Sequence, residues 1–379
     1  MRALSAFVFA IMVGLGAGAC SSGSTSHLDG AAPTRDAATL DGALLDANGA
    51  DAATDALGRE APMLPADARD NVDGRAPDGT VPRDGTDAPP PGNAHTVGEL
   101  YCPPAGTAYP APLPADRQVT LVPIAPPGGI SFLEGPVWLA DRGVLLFSEW
   151  NGGHRILQLT PPQAIEVFLP ATGSNGLTLT ADGKSLLMVT ELPTAGVARV
   201  SLTDRSIQRL VQNFNGESFV QPNDLAVRAD GIIYFTDYQA GRLYRRATDG
   251  TLSLVASQSH ANGVGLSPDE KTLYLNADTH TMRFPLAADG TAGQGTDVAT
   301  ALNGADGMAI DCAGNIFIAQ NNGGSLVVLS ASGNKLGEIG GLPQTVTNAA
   351  FGGPDRRTLY ITTDSALYTI QLAVPGLPS

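Results

Sequence analysis

Six segments of the chain repeat one pattern, an oxygen-bearing side chain followed by small or apolar residues, and they recur about every forty residues. They are Glu134-Gly135-Pro136, Asn175-Gly176-Leu177, Asn223-Asp224-Leu225, Asn262-Gly263-Val264, Asp306-Gly307-Met308 and Asn348-Ala349-Ala350. A turn begins seven residues after each, at 141, 182, 230, 269, 313 and 355, and the offset never varies. Apolar runs follow the turns, as in Val144-Leu145-Leu146-Phe147 and Ile233-Tyr234-Phe235-Thr236. Such runs, crowded with Val, Ile, Tyr, Phe and Thr, favour strands, and Gly and Asp punctuate them. No long stretch carries helical periodicity. Repeats of this length, four strands each and arranged radially, predict an all-β chain folded as a six-bladed β-propeller with a central channel.

A propeller must close its ring or leave strand edges exposed. The sixth unit has room for three strands before Leu372, so the alternating segment Gln118-Val119-Thr120-Leu121-Val122 is expected to supply the fourth; the alternative is a linker tail. The propeller domain is expected over residues 98–376. Residues 1–20 run from Met1-Arg2 through an apolar stretch to Ala19-Cys20 and read as an export signal too short to span a membrane. Cys20 after Ala17-Gly18-Ala19 resembles a bacterial lipoprotein cleavage site. The predicted location is therefore the bacterial envelope, periplasmic or cell-surface, with an N-terminal lipid as the only membrane contact. Secretion after cleavage near Ala19 is the alternative.

Residues 21–97 form a predicted disordered tether of Ala, Asp, Gly, Pro and Thr, too poor in apolar surface to offset ordering entropy. Between Ser21 and Ala94 thirteen acids stand against five arginines, about half of the net charge of −15. The acidity is thus mostly a solvated stalk, and the absence of a Lys/Arg run argues against nucleic acid. Cys102 and Cys312 remain, either as a disulfide pinning the entry segment to the fifth unit or as two free thiols.

Equivalent positions of a propeller converge at one height of the channel. The carboxylates of Glu134 and Asp306 would then meet the amides of Asn175, Asn223, Asn262 and Asn348. Burying two unpaired carboxylates is costly, and a divalent cation removes the cost. Glu134, Asn175, Asn223 and Asp306 are the predicted ligands, Asn175 directly or through water, with Asn262 and Asn348 supporting them. All-oxygen ligation fits Ca²⁺, with Mg²⁺, Mn²⁺ or Zn²⁺ as alternatives; no His or Cys in the ring favours zinc. The competing reading is that the six residues cap strands and bind channel water. Loops after the second strands should open on the same face, bringing Glu149, Trp150, Glu191, Tyr238, His280 and Asn321 to the entrance. Trp150 and Tyr238 would stack on a ring-shaped ligand or seal blade packing.

Several motifs carry a resemblance. Leu133-Glu134-Gly135-Pro136-Val137-Trp138, Gln221-Pro222-Asn223-Asp224, Phe235-Thr236-Asp237, Ser267-Pro268-Asp269, Ala305-Asp306-Gly307-Met308 and Thr347-Asn348-Ala349-Ala350-Phe351-Gly352-Gly353 are similar, in order and spacing, to the regucalcin/gluconolactonase family. The resemblance runs from about Val119 to Leu372. It implies a six-bladed propeller that holds a divalent ion in its channel and hydrolyses small-molecule lactones or esters; the chain is expected to be a monomer. It makes Glu134 and Asn223 metal ligands, Asp306 both ligand and catalytic base or nucleophile, Asn175 a ligand or substrate contact, and Glu191 a substrate contact. Gly173 stands where animal members carry Arg, and Glu191-Leu192-Pro193 replaces the usual Glu-His-Gly. The resemblance leaves two rivals open: phosphotriester hydrolysis, and a non-catalytic propeller whose calcium only stiffens the channel.

Overall fold

The computed structural model describes residues 95–378 except 105. The export signal with Cys20 and the tether over 21–94 lie outside the described residues. Six four-stranded antiparallel sheets stand around one axis, their innermost strands adjoining in sequence order and the last adjoining the first. The inner strands are Leu133–Leu139, Ser174–Leu179, Pro222–Val227, Ala261–Leu266, Ala305–Ile310 and Val346–Gly352. The second strands are Val144–Glu149, Ser185–Thr190, Ile233–Asp237, Thr272–Ala277, Ile316–Gln320 and Thr358–Thr363. The fourth strand of the sixth blade comes from upstream: Thr120–Val122 pairs with Leu367–Gln371, Thr120 opposite Thr369.

Each blade is sandwiched between two others, so both of its faces must be apolar. Alternation along Val144–Glu149 sends Val144 and Leu146 into the seam with the second blade, where they pack with Leu186 and Met188. Leu145 and Phe147 go into the seam with the sixth blade, beside Trp138 and Tyr360. A strand buried on both faces reads as a continuous apolar run rather than an alternating one. Six apolar clusters result, one for each seam.

A strap of residues 95–119 precedes the blades. Thr96 and Glu99 form a capping box on the short helix Val97–Tyr101. The Gly98 N–H donates to the Pro268 carbonyl (2.8 Å) and the Val97 N–H to the Glu270 carboxylate (3.3 Å). Through these bonds Thr96 and Val97 belong to the strap. The Arg356 guanidinium lies 4.9 Å from the Tyr101 ring centre, and Arg117 donates to the Glu338 carbonyl. Cys102 is bonded to Cys312 with Cα atoms 5.5 Å apart and 210 residues between them in sequence. Among the described residues no helix is long and apolar enough to cross a membrane.

A crosslink that closes so long a loop removes much of the unfolded chain's freedom. Replacing both cysteines by serine is expected to cost roughly 2–5 kcal/mol of stability, read as a lower unfolding midpoint. Reductant should bring the parent chain to the same midpoint and leave the double variant unmoved. Equal midpoints without reductant would remove the crosslink from the stability of the ring.

Candidate functional site

The repeated polar residues sit where every inner strand breaks register. Pairing skips from Pro222–Asp237 to Leu225–Phe235, from Ala261–Ala277 to Val264–Leu275, and from Ala305–Gln320 to Met308–Ile318. Ser174–Leu177 skips likewise. Asn175, Asn223, Asn262 and Asp306 are each the first residue of such a bulge. Glu134 immediately precedes one, and Asn348 follows a one-residue bulge at Thr347. A bulge re-aims a side chain that a regular pleat would send into a seam.

The bulges free backbone groups, and second-strand side chains take them up. Thr236 Oγ1 accepts from the Asp224 N–H (3.0 Å), and Asn276 Nδ2 donates to the Asp306 carbonyl (2.6 Å). Thr362 Oγ1 donates to the Asn348 carbonyl (3.2 Å), and Thr347 Oγ1, on the inner strand itself, donates to the Leu133 carbonyl across the closing seam (2.6 Å). The strands also approach so closely at the axis that a Cβ on Gly307 would lie 2.0 Å from the Asn348 side chain.

Three acids gather inside the ring, not two. Glu134 and Asp306 are both 3% exposed, and Asp224 is 7% exposed. Burial raises the Glu134 carboxyl well above the usual range, reinforced by the charges of Asp306 and Asp224. Burial pushes Asp306 up to about 7, opposed by hydrogen bonds from Asn321, Asn262 and the Gly307 N–H. Asp224 is likewise pushed up to about 7 by burial, against bonds from the Leu225 and Val264 N–H groups and the Asn348 amide. Asn348 also bonds Glu134, and Asn321 Nδ2 meets Asp306 Oδ2 at 2.6 Å. The Asn175 Oδ1 is buried without a hydrogen-bond partner.

Acids whose ionisation is opposed by burial, beside an orphaned amide oxygen, form a donor set that a hard dication would satisfy. Among the described residues no three His, Cys, Asp or Glu side chains are arranged to hold an ion, so any ion here draws on amide oxygens as well. Glu134, Asn175, Asn223 and Asp306 carry the oxygens that could contribute to such a set.

A cavity of about 320 Å³ opens on one face of the ring, with Glu134, Asn175, Asn223, Asn262 and Asp306 among its lining. Asn348 and Asp224 instead face a smaller apolar chamber of about 100 Å³ on the other side, closed by Val97, Tyr101 and Leu377. Three registers of the repeat line the front cavity. One is the ring residue itself. The second lies two positions earlier: Phe132, Gln221, His260 and Gly304. The third directly follows each second strand: Trp150, Tyr238, Asp278 and Asn321. Backbone N–H groups of Trp150, Glu191, Tyr238 and Asn321 donate to the carbonyls of Phe132, Gly173, Gln221 and Gly304, lacing the second and third registers together.

Several expected entrance residues are placed differently. His280 does not line the cavity. It pairs with Ala277 at the start of the third strand, which leads away from the axis. His260 lines the cavity in its stead, stacked on Tyr238 with ring centres 4.9 Å apart. Glu149 is buried and held by Arg155 at 2.7 Å and 3.0 Å rather than facing the mouth. Glu191 holds two lining residues instead of lining the cavity: it accepts from Trp150 Nε1 at 2.7 Å and bonds Gln221. Asp224 went unrecognised, although its place after Asn223, where the first, second, fourth and fifth units have Gly, was the available signal.

Asp224 gives a signed test. Its folded carboxyl titrates at about 7 against an ordinary 3.8, so the native state binds the proton more tightly. The stability this contributes is full below about pH 4 and is lost as pH rises through about 7. In chelator-treated protein, Asp224→Asn should therefore gain on the parent in unfolding free energy between about pH 4 and about pH 8. A difference that stays flat over that range would mean the carboxyl is not carrying a buried proton.

The chain matches the model of the SMP-30/Gluconolactonase/LRE-like region over residues 132–365. It is 30% identical over 276 residues to the gluconolactonase of Zymomonas mobilis, across 61% of this chain and 76% of the relative. It is 30% identical over 244 residues to the pentonolactonase XacC of Haloferax volcanii, across 61% and 80%. A solved gluconolactonase from Xanthomonas campestris aligns with a TM-score of 0.60 at 25% identity, over 73% of this chain and 98% of that one. Regucalcin of Agrobacterium tumefaciens shares the fold at 19% identity, with a TM-score of 0.57 over 67% and 96%. With six blades around a polar axis and a family match over more than half its length, the chain belongs to the SMP-30/gluconolactonase/LRE-like family.

Proposed function

We propose that the front cavity hydrolyses the ester bond of a small lactone, with Asp306 as the catalytic carboxylate. The observation that carries this reading is a carboxylate buried at the base of an open cavity, held as an acceptor by two amides, beside an amide oxygen with no donor of its own. The gluconolactonase and pentonolactonase relatives support it.

Hydrolysis adds water across the ring ester: the water oxygen bonds to the carbonyl carbon, the ring C–O bond breaks, and the ring oxygen takes a proton. Asp306 removes the proton from the attacking water and returns it to the leaving ring oxygen. Glu134, Asn175, Asn223 and Asp306 would hold a divalent cation, Ca²⁺ first, with Mg²⁺, Mn²⁺ or Zn²⁺ as alternatives. When bound, such an ion polarises the ester carbonyl and stabilises the developing oxyanion. Trp150, fixed by its indole bond to Glu191 and by Phe132 at 5.3 Å between ring centres, offers an apolar face to the substrate ring. Tyr238, stacked on His260, offers another. Export fits this reading, since the Cys102–Cys312 bond suits an oxidising compartment.

A panel of lactones and paraoxon tests the proposal, with calcium and with EDTA. Lactone turnover should vanish in EDTA and return with calcium. Asp306→Asn should lower it about 100-fold or more while calcium still binds. Paraoxon as the favoured substrate would move the reading to phosphotriesters, and full activity in Asp306→Asn would take that residue out of the mechanism. No turnover at all would leave a binding propeller.

A further inference from the structure

In the third register each residue stands over the ring, but the side chains go different ways. Trp150 turns to Glu191 and Tyr238 to His260. In the fifth blade the side chain reaches the ring: Asn321 Nδ2 donates to Asp306 Oδ2 at 2.6 Å. An amide nitrogen only donates, so the bond holds Asp306 as an acceptor, and a bond to a carboxylate is stronger than a neutral one.

The loop that carries Asn321 is fixed independently of that bond. The Asn321 N–H donates to the Gly304 carbonyl (2.8 Å) and the Asn322 N–H to the Asn303 carbonyl (2.9 Å). The Asn303 N–H donates to Gln320 Oε1 (3.1 Å), and Gln320 Nε2 is anchored on Ser325 Oγ (2.7 Å). Three bonds thus tie the residues around Asn321 to those that lead directly into Asp306. The amide's position relative to the carboxylate is set by the backbone. A change of side chain at 321 should remove the contact and leave the loop in place.

We propose that Asn321 is a positioning residue for the hydrolytic reaction, fixing the plane of the Asp306 carboxylate against the cavity so that proton transfer proceeds from one orientation. This inference rests on the lactone-hydrolase reading. With Asn262 gripping the same carboxylate from within the ring, the side chain is held from two registers of the repeat. Loss of the outer grip should affect turnover more than substrate capture, because the carboxylate acts in the transition state.

The test is steady-state kinetics on a hydrolysed lactone at saturating calcium, with calcium affinity by calorimetry and the unfolding midpoint measured on the same proteins. Asn321→Ala should lower kcat about 10- to 100-fold with KM within about threefold of the parent, an unchanged midpoint and saturable calcium binding. Asn321→Asp, equal in size but presenting an acceptor to an acceptor, should fall at least as far. The proposal is overturned by a kcat within about twofold of the parent, by an active Asn321→Asp, or by a loss that disappears as calcium is raised, which would make Asn321 only an aid to ion retention. A parent protein that hydrolyses no lactone sinks the hydrolase reading and this role together. An active parent with an indifferent Asn321→Ala sinks the role alone.

Discussion

Where adjacent inner strands meet at the axis, four of the blades leave no room for a side chain at the position after the ring residue: Cβ atoms on Gly263 and Gly307, for example, would lie 2.4 Å from the Asp306 carbonyl and 2.0 Å from the Asn348 side chain. This contact sets the bore of the channel, and the bore sets the electrostatics. Strands that close bring Glu134, Asp224 and Asp306 into one buried volume whose low polarisability opposes their ionisation. The amides of Asn262, Asn321 and Asn348 lessen that cost without adding charge. In the third blade Asp224 occupies the glycine position, so that blade alone sends a carboxylate toward the rear chamber.

The division between seam and axis follows from period-two geometry interrupted once per blade. Along regular stretches every side chain enters one apolar seam or the other, which is why Leu145 and Leu146 belong to different clusters. The bulge turns the chain so that a polar side chain faces the channel, and Thr236, Asn276 and Thr362 satisfy the backbone groups it leaves behind. Unpaired, such buried groups would each cost about 1–3 kcal/mol. The polar second-strand residues are therefore as necessary to the site as the ring residues they support.

Much of this could be read from the chain, and the omissions have physical causes. The invariant seven-residue offset located the ring and the second strands because the two strands flank a single tight turn. Thr120–Val122 could be assigned to the sixth blade because an edge must be covered. The bulges were invisible, since register is a property of two strands and the sequence shows them one at a time. His280 was expected at the mouth because it follows a second strand; a two-residue turn carries it past the mouth onto the outgoing strand. His260 was overlooked because it precedes its ring residue, yet it shares that register with Phe132 and Gln221. Glu149 looked like an entrance acid, and only the fold shows that Arg155 claims both its oxygens.

The composite sixth blade imposes an order on assembly. Thr120 pairs with Thr369, so one edge strand is synthesised long before the partner that it must cover. Until the sixth blade's strands Val346–Gly352, Thr358–Thr363 and Leu367–Gln371 have emerged, the apolar surfaces of Trp138, Leu145 and Phe147 on one side and of Phe317 and Ala319 on the other have no mate. The entropy of drawing such distant segments together is met late, after most local hairpins have formed. A nascent chain in this state resembles an open horseshoe with two sticky ends. Truncation near its C-terminal strand should then favour pairing between molecules over closure within one.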